Sequence, residues 1–236
     1  MYGIIKLADR VTDYILLLAF LLLFLIGGYT MYDTLLIYNA ANGADLRSFR
    51  PMAAESEEGY VWDMSALSED VVAWLTIDDT SIDYPVMQGI DNSEYLNKDP
   101  FGEYSLAGSI FLDARNAADF SDPYSLIYGH HMEYGRMFGA LDEFLEEDYF
   151  DAHRTATLTV GDAVYDVEFF ACLEADASVQ EIFAPTETHG TLDYVRRHAA
   201  IWRETQGEKL IALSTCKFPQ TTARIIVFGV FDQCVN

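Results

Sequence analysis

A chain of 236 residues, 51% hydrophobic and 14% aromatic, can bury one substantial core and is too apolar to be globally disordered. Its 38 Asp and Glu against 14 Lys and Arg leave a formal charge of −24, which repels phosphate backbones and argues against a nucleic-acid partner. The same charge repels anionic headgroups, so any membrane association must come from apolar insertion.

Along the chain, the first feature is a run of 19 uncharged residues, Tyr14 to Tyr32, bracketed by Asp13 and Asp33. As a helix it would span roughly 28 Å, about the thickness of a bilayer core. Lys6 and Arg10 precede it and Asp33 is the first charge after it, so the positive-inside rule predicts a cytoplasmic N-terminus. A cleaved signal peptide is the competing reading, but its apolar region would be shorter, and Ala40, Ala41 and Ala44 make a poor cleavage site. The expected organisation is a cytoplasmic segment over 1–13, a transmembrane signal-anchor over 14–32, an extracellular stalk over 33–64 and a folded domain over 65–236.

The stalk carries Asn42, Gly43, Pro51 and the acidic stretch Glu55–Glu58. Next, Ser68 followed by Glu69 and Asp70 resembles an N-cap with acidic residues in a first turn, which predicts a short amphipathic helix through Leu75. Runs of strand character then occur at 109–112, 124–128, 156–160, 164–172, 209–215 and 224–231. Gly161-Asp162 reads as a two-residue hairpin turn between two of them. Many short strands with tight connections suggest a closed or nearly closed barrel. Apolar spacing predicts two helices among them, over 137–149 (Phe138, Leu141, Phe144, Leu145) and over 192–204 (Leu192, Val195, Ala199, Trp202).

Three cysteines, Cys172, Cys216 and Cys234, are too few for a disulfide scaffold and too widely spaced for a metal site, and an odd count leaves a free thiol. No loop has the carboxylate spacing of a calcium site, so no metal is expected. Cys216 ends one strand-like run and Arg224 begins the next, eight residues on. If the two pair as a hairpin, a guanidinium stands beside the thiol at one rim, where it would lower the thiol pKa and offer donors to an oxyanion. Taken alone, Cys216 also reads as an inert core thiol and Arg224 as a surface charge. A thiolate nucleophile usually needs a histidine for proton transfer. His130 follows the run 125–128 and Gly129 at a strand end; His131 would point elsewhere, and His153, His189 and His198 read as surface residues.

The segments 125–132 (SLIYGHHM), 213–216 (LSTC) and 224–227 (RIIV) resemble the His, Cys and Arg motifs of sortases in order and spacing, and the stretches 71–77, 82–89 and 108–113 look like class B members. The resemblance covers roughly residues 65 to 231. It implies a mainly β fold, a sortase-type eight-stranded β-barrel with peripheral helices, preceded by one N-terminal transmembrane helix. It also implies a cysteine transpeptidase. Cys216 would attack a threonine carbonyl in a C-terminal sorting signal, His130 would act as acid and base, and Arg224 would hold substrate or stabilise the oxyanion. Ser214 and Thr215 would contribute substrate contacts, and no cofactor is needed. The implied partners are secreted proteins bearing sorting signals, a lipid-linked peptidoglycan amine and the membrane; the implied outcome is wall anchoring at a Gram-positive surface. His131 departs from the Asn that many members carry. Cys172 and Cys234 lie outside the motif and are expected as structural thiols, with a mutual disulfide the alternative. Three alternatives stay open: a pilin-polymerising sortase, a surface cysteine protease and a catalytically silent scaffold.

Overall fold

The structure, a computed structural model, describes residues 2–40, 46–53, 60–61, 64–186, 190–207, 209–216 and 222–233, with the backbone alone at a few of these, Cys216 among them. Cys234, His189, the Glu55–Glu58 stretch, Asn42, Gly43 and the loop following Cys216 lie outside the described residues. The chain divides into two compact units, residues 1–40 and 41–236.

The first unit is a single helix, α1 (Tyr2–Ala40). Its portion from Asp9 to Tyr38 is long and apolar enough to cross a membrane, and it extends the expected span at both ends. Phe20 and Phe24 are exposed at 70% and 78%, as suits a helix whose surroundings are hydrocarbon. The Thr30 and Thr34 hydroxyls donate to the carbonyls of Gly27 and Thr30, at 2.9 and 2.8 Å, and so need no outside partner.

The second unit opens with a 3₁₀ turn, Leu46–Phe49, and an isolated ribbon of β1 (Met52–Ala53) and β2 (Tyr60–Val61). Leu46 is buried in the main core, and Arg47 and Arg50 reach the Asp83 carboxylate at 4.0 and 3.5 Å. This part of the expected stalk therefore packs on the barrel.

The remaining strands are β3 (Val71–Ile77), β4 (Asp83–Met87), β5 (Ile110–Leu112), β6 (Tyr124–Gly129), β7 (Thr155–Val160), β8 (Ala163–Asp176), β9 (Ile201–Trp202), β10 (Lys209–Cys216) and β11 (Ala223–Gln233). Their order is β11-β10-β6-β5-β4-β3-β7-β8, and β8 pairs again with β11. The expected eight-stranded barrel is thus closed, with β9 added beside β8. The ladders are antiparallel except β4–β5 and β6–β10.

Strands β6, β10 and β11 are buried on both faces. Ile127, Ile211, Leu213, Ile225 and Val227 enter the barrel core. The alternating residues Tyr124, Leu126, Ala212, Ile226 and Phe228 meet a second cluster, completed by Ile182 of α3 (Gln180–Phe183) and Val195 of α4 (Thr191–His198). Double-sided burial explains why these strands read as continuous apolar runs rather than alternating ones.

Several expectations need correction. Residues 71–77 form a strand and not a helix: Val71, Val72, Thr76 and Ile77 are β-branched, and β3 gains ladders on both edges. The Ser68 hydroxyl instead accepts from the Asp70 amide at 3.3 Å, closing a turn with the chemistry it would have used as a cap. Strand β4 was not anticipated. The helix expected over 137–149 is a 3₁₀ stretch, Phe138–Leu145, followed by α2 (Glu147–Ala152), broken at the extended Glu146. Its apolar residues Phe138, Leu141 and Phe144 are buried as expected. The helix expected over 192–204 ends at His198 because Ile201-Trp202 pairs with β8, so Trp202 meets Phe170 from a strand, with ring centroids 5.2 Å apart. His153, expected at the surface, is half-buried and stacks on Tyr149 at 4.0 Å. The Gly161-Asp162 hairpin turn forms as read, with Val160 paired to Ala163.

Phe144 anchors this region, with edge contacts to Tyr149, Phe150 and Phe169. Phe144→Ala should cost about 3–5 kcal/mol of stability, read as a lowered denaturant midpoint with an unchanged slope. A loss below about 1 kcal/mol would mean that the 3₁₀ segment collapses into the space.

Candidate active site

The site is set by two ladders that share β10. In the parallel ladder Thr215 is opposite Gly129, so the residues that follow, Cys216 and His130, leave the two strands side by side. In the antiparallel ladder Cys216 is opposite Arg224. Neighbouring strands lie about 4.8 Å apart, so the backbone of Cys216 runs between those of His130 and Arg224 at one end of the barrel.

Beside this end lies a cleft of about 400 Å³. Its floor is Tyr128, Gly129, Ser214 and Thr215; one wall is Asn92, Leu96 and Phe111, the other Ala177 and Phe183; His130 and Arg224 complete the lining. A larger cavity, about 790 Å³, is lined by Asp78, Arg154, Asp166, Glu168 and Asp232. It contains neither thiol nor imidazole, so size is a poor guide here and the smaller cleft is the chemical candidate.

His130 is half-buried, with Nε2 2.7 Å from the carbonyl oxygen of Leu96. A carbonyl can only accept, so Nε2 carries the proton, and in the neutral ring Nδ1 holds the lone pair. Two glycines permit this arrangement. At Gly108 (φ +60°) a Cβ would stand 2.6 Å from Leu96 O and 3.0 Å from His130 Cδ2. At Gly129 it would stand 2.7 Å from the Phe138 ring. His131 turns elsewhere, with Nε2 2.7 Å from Asp142 Oδ2.

Arg224 is half-buried, and its Nη1 donates to the Ala223 carbonyl at 3.3 Å. Its charged neighbour is Asp176, at the end of β8. Hydrogen bonds from the Ser178 and Thr222 hydroxyls and the Ser178 amide, then the Arg224 charge, hold this carboxyl at about 2. The Ser214 and Thr215 hydroxyls are each 1% exposed and have no hydrogen-bond partner among the described residues. A buried hydroxyl left so costs about 1–3 kcal/mol; Ser125, outside the cleft lining, is in the same state. Cys172 is fully buried, and burial followed by the nearby Glu174 charge raises its pKa, so it stays a neutral thiol.

The structure brings His130, Arg224, Ser214, Thr215 and the Cys216 backbone to one cleft. Reading the sequence missed Asn92, Leu96, Tyr128 and Phe183. Leu96 contributes a backbone carbonyl, for which no residue type is a signal; Asn92 comes from a loop and Phe183 from the short α3, which pack against the cleft only in the folded chain.

Asp176 yields a titration prediction. A lowered folded-state pKa adds stability above the unfolded value and loses it as pH falls, here from about 4 towards 2. A carboxyl ¹³C titration should place Asp176 near 2, and Thr222→Val should move it up towards the ordinary 3.8. An unmoved midpoint would show that Thr222 does not hold the carboxylate.

Comparison with known proteins identifies the family. The family described as "Sortase domain" matches residues 75–232. Sortase B of Listeria monocytogenes is 38% identical over 161 residues, which are 65% of this chain and 65% of that protein, just under two thirds of its length. A Streptococcus pyogenes class B sortase involved in pilus biogenesis superposes with a TM-score of 0.67 at 39% identity, covering 72% of this chain and 96% of its own. A Staphylococcus aureus sortase B–substrate complex gives 0.67 at 26% identity, over 73% and 84%. With the family matching two thirds of the chain and class B sortases superposing on its fold, this protein belongs to the sortases, a family of cysteine transpeptidases, and within them to class B.

Proposed function

We propose that this class B sortase is a membrane-anchored transpeptidase that joins proteins bearing a C-terminal sorting signal to a peptidoglycan amine. The observation that supports the reading is the strand register, which pairs Cys216 with Arg224 and lets Cys216 and His130 follow paired residues, beside a cleft of about 400 Å³ that His130 and Arg224 line. The S. aureus sortase B solved as a substrate complex, at a TM-score of 0.67, supports a substrate-binding role for this fold.

His130 Nδ1 takes the Cys216 thiol proton, the resulting thiolate attacks the threonine carbonyl, and the carbonyl electrons move to oxygen. As the tetrahedral centre collapses the peptide C–N bond breaks, and His130 gives its proton to the leaving amine. The resulting thioester is attacked by the acceptor amine, whose proton passes to His130 as the thiolate leaves. With Nε2–H held by Leu96, Nδ1 is the nitrogen that exchanges these protons. Arg224 offers guanidinium donors to the oxyanion or to the peptide carbonyls. The Ser214 and Thr215 hydroxyls bind the peptide backbone, which satisfies them. These steps use side chains of this chain alone and invoke no cofactor.

Lys6 and Arg10 before the apolar helix put the N-terminus in the cytoplasm and the barrel outside. The organisation is then a cytoplasmic 1–13, a span over 14–32 within α1, an extracellular connection over 33–64 and the catalytic domain over 65–236. Wall anchoring is the first reading. The second is pilin polymerisation by a lysine amine, which the pilus role of the S. pyogenes relative favours.

Full-length protein in detergent, incubated with a sorting-signal peptide library and then with oligoglycine, diamino acids or a lysine peptide, tests this by intact mass. A thioester on Cys216, absent in Cys216→Ala, should convert to ligated product on adding amine. His130→Ala should lower kcat about 10²–10⁴-fold, and Arg224→Ala about 10²–10³-fold. Hydrolysis with every amine offered would instead indicate a protease, and no adduct with any peptide would sink the catalytic reading.

A further inference from the structure

Behind the cleft lies a buried charge that the reaction does not use. Asp113, at the end of β5, is fully buried. Its carboxylate accepts from the Arg115 amide at 3.0 Å, Arg115 Nε at 2.8 Å, Arg115 Nη2 at 2.7 Å, Asn92 Nδ2 at 2.9 Å and the Tyr128 hydroxyl at 3.0 Å. Arg115 Nη2 also donates to the Phe183 carbonyl at 2.7 Å. Burial alone would favour the neutral acid, but the hydrogen bonds from Arg115 and Asn92 and the Arg115 charge more than offset it, and Asp113 titrates below its ordinary value.

The residues so gathered come from three elements that line the cleft: Asn92 from the β4–β5 loop, Tyr128 from β6 and Phe183 from the turn α3. Among the described residues no strand ladder joins the Asn92 loop to α3. The ion pair spans that gap, because the planar guanidinium presents one edge to Asp113 and keeps a donor for Phe183. Asp113 is buried but the Arg115 side chain is 46% exposed, and a pair open to solvent on one side adds little stability, so what it contributes here is geometry.

We propose that Asp113 and Arg115 are positioning residues that hold the two walls of the cleft at the separation a bound peptide requires, and thereby set affinity for the sorting signal. The inference rests on the transpeptidase reading. It makes Asn92 and Tyr128 a preorganised wall and makes the position of Phe183 depend on Arg115. Tyr124 also holds α3, its hydroxyl donating to the Ile182 carbonyl at 2.9 Å, so loss of Arg115 loosens the turn without releasing it.

The test uses full-length protein carrying Arg115→Lys, which keeps a cation beside Asp113 but lacks the fork that also reaches Phe183. Arg115→Gln is carried beside it so that a folded variant is available, with thermal melting to establish folding. Three quantities are measured: KM and kcat for a sorting-signal peptide that the unmodified protein ligates, and the rate of Cys216 alkylation by iodoacetamide. The expected result is a KM raised about tenfold, the weight of one charge-assisted hydrogen bond, with kcat and alkylation unchanged. A KM equal to that of the unmodified protein would overturn the inference and leave the transpeptidase reading intact. So would kcat and alkylation falling together, since Arg115 would then act on the nucleophile. Failure of the unmodified protein on the whole library would overturn both.

Discussion

Strand β10 is hydrogen-bonded along both edges, parallel to β6 on one side and antiparallel to β11 on the other. Because side chains alternate, a one-residue slip in either ladder would exchange the faces of a whole strand. Here such a slip would drive Ile211 and Leu213 out of the barrel core and bring Ala212 and Ser214 in. Both faces are buried, so a slip is penalised twice, once in each apolar cluster. The register that sets Cys216 opposite Arg224 and one step beyond Thr215 is therefore enforced by the packing of residues that take no part in chemistry.

Parallel pairing between β6 and β10 has a further consequence. Two parallel strands end at the same edge of a barrel, so the residues leaving them emerge together, whereas a hairpin partner enters where its neighbour leaves. One parallel and one antiparallel neighbour thus bring a histidine from a strand end, a cysteine from a strand end and an arginine from a strand start to a single rim. Two distant stretches of sequence, one ending in the histidine and one the cysteine–arginine hairpin, meet there because of topology, and neither is adjacent in the chain to the loop that holds the histidine ring through Leu96.

The outer face of these strands would be an exposed apolar surface if α3 and α4 did not cover it. That cover forms one wall of the cleft, and the β4–β5 loop forms the other. Several polar groups behind the cleft find partners: Asp113 collects five donors, and Gln88 and Asn116 donate to nearby backbone carbonyls at 2.7–3.0 Å. Ser214 and Thr215, which face the cleft, are left without a partner among the described residues. Ser125, on β6 and outside the cleft lining, is likewise without a partner among the described residues, so an unpaired hydroxyl is not confined to the cleft.

Much of this was legible from residue pattern. The apolar helix, the six strand-like runs, the Gly161-Asp162 turn and the apolar residues of the 3₁₀ stretch all follow from local rules of periodicity and turn chemistry. The pairing of Cys216 with Arg224 follows from a hairpin whose loop length is countable. What local rules misjudged were places where a long-range partner outweighs a local preference. Val71–Ile77 gains two ladders that a capped helix would forgo, and Ile201-Trp202 leaves its helix to pair with β8. The relation of His130 to Cys216 needs a parallel ladder between strands about eighty residues apart, and no spacing announces it. The Leu96 carbonyl and the Asp113–Arg115 node depend on loops closing over a finished barrel. Chain-local chemistry determined which residues were capable of the reaction; only the closed sheet, through the directionality of its hydrogen bonds, decided which of them meet.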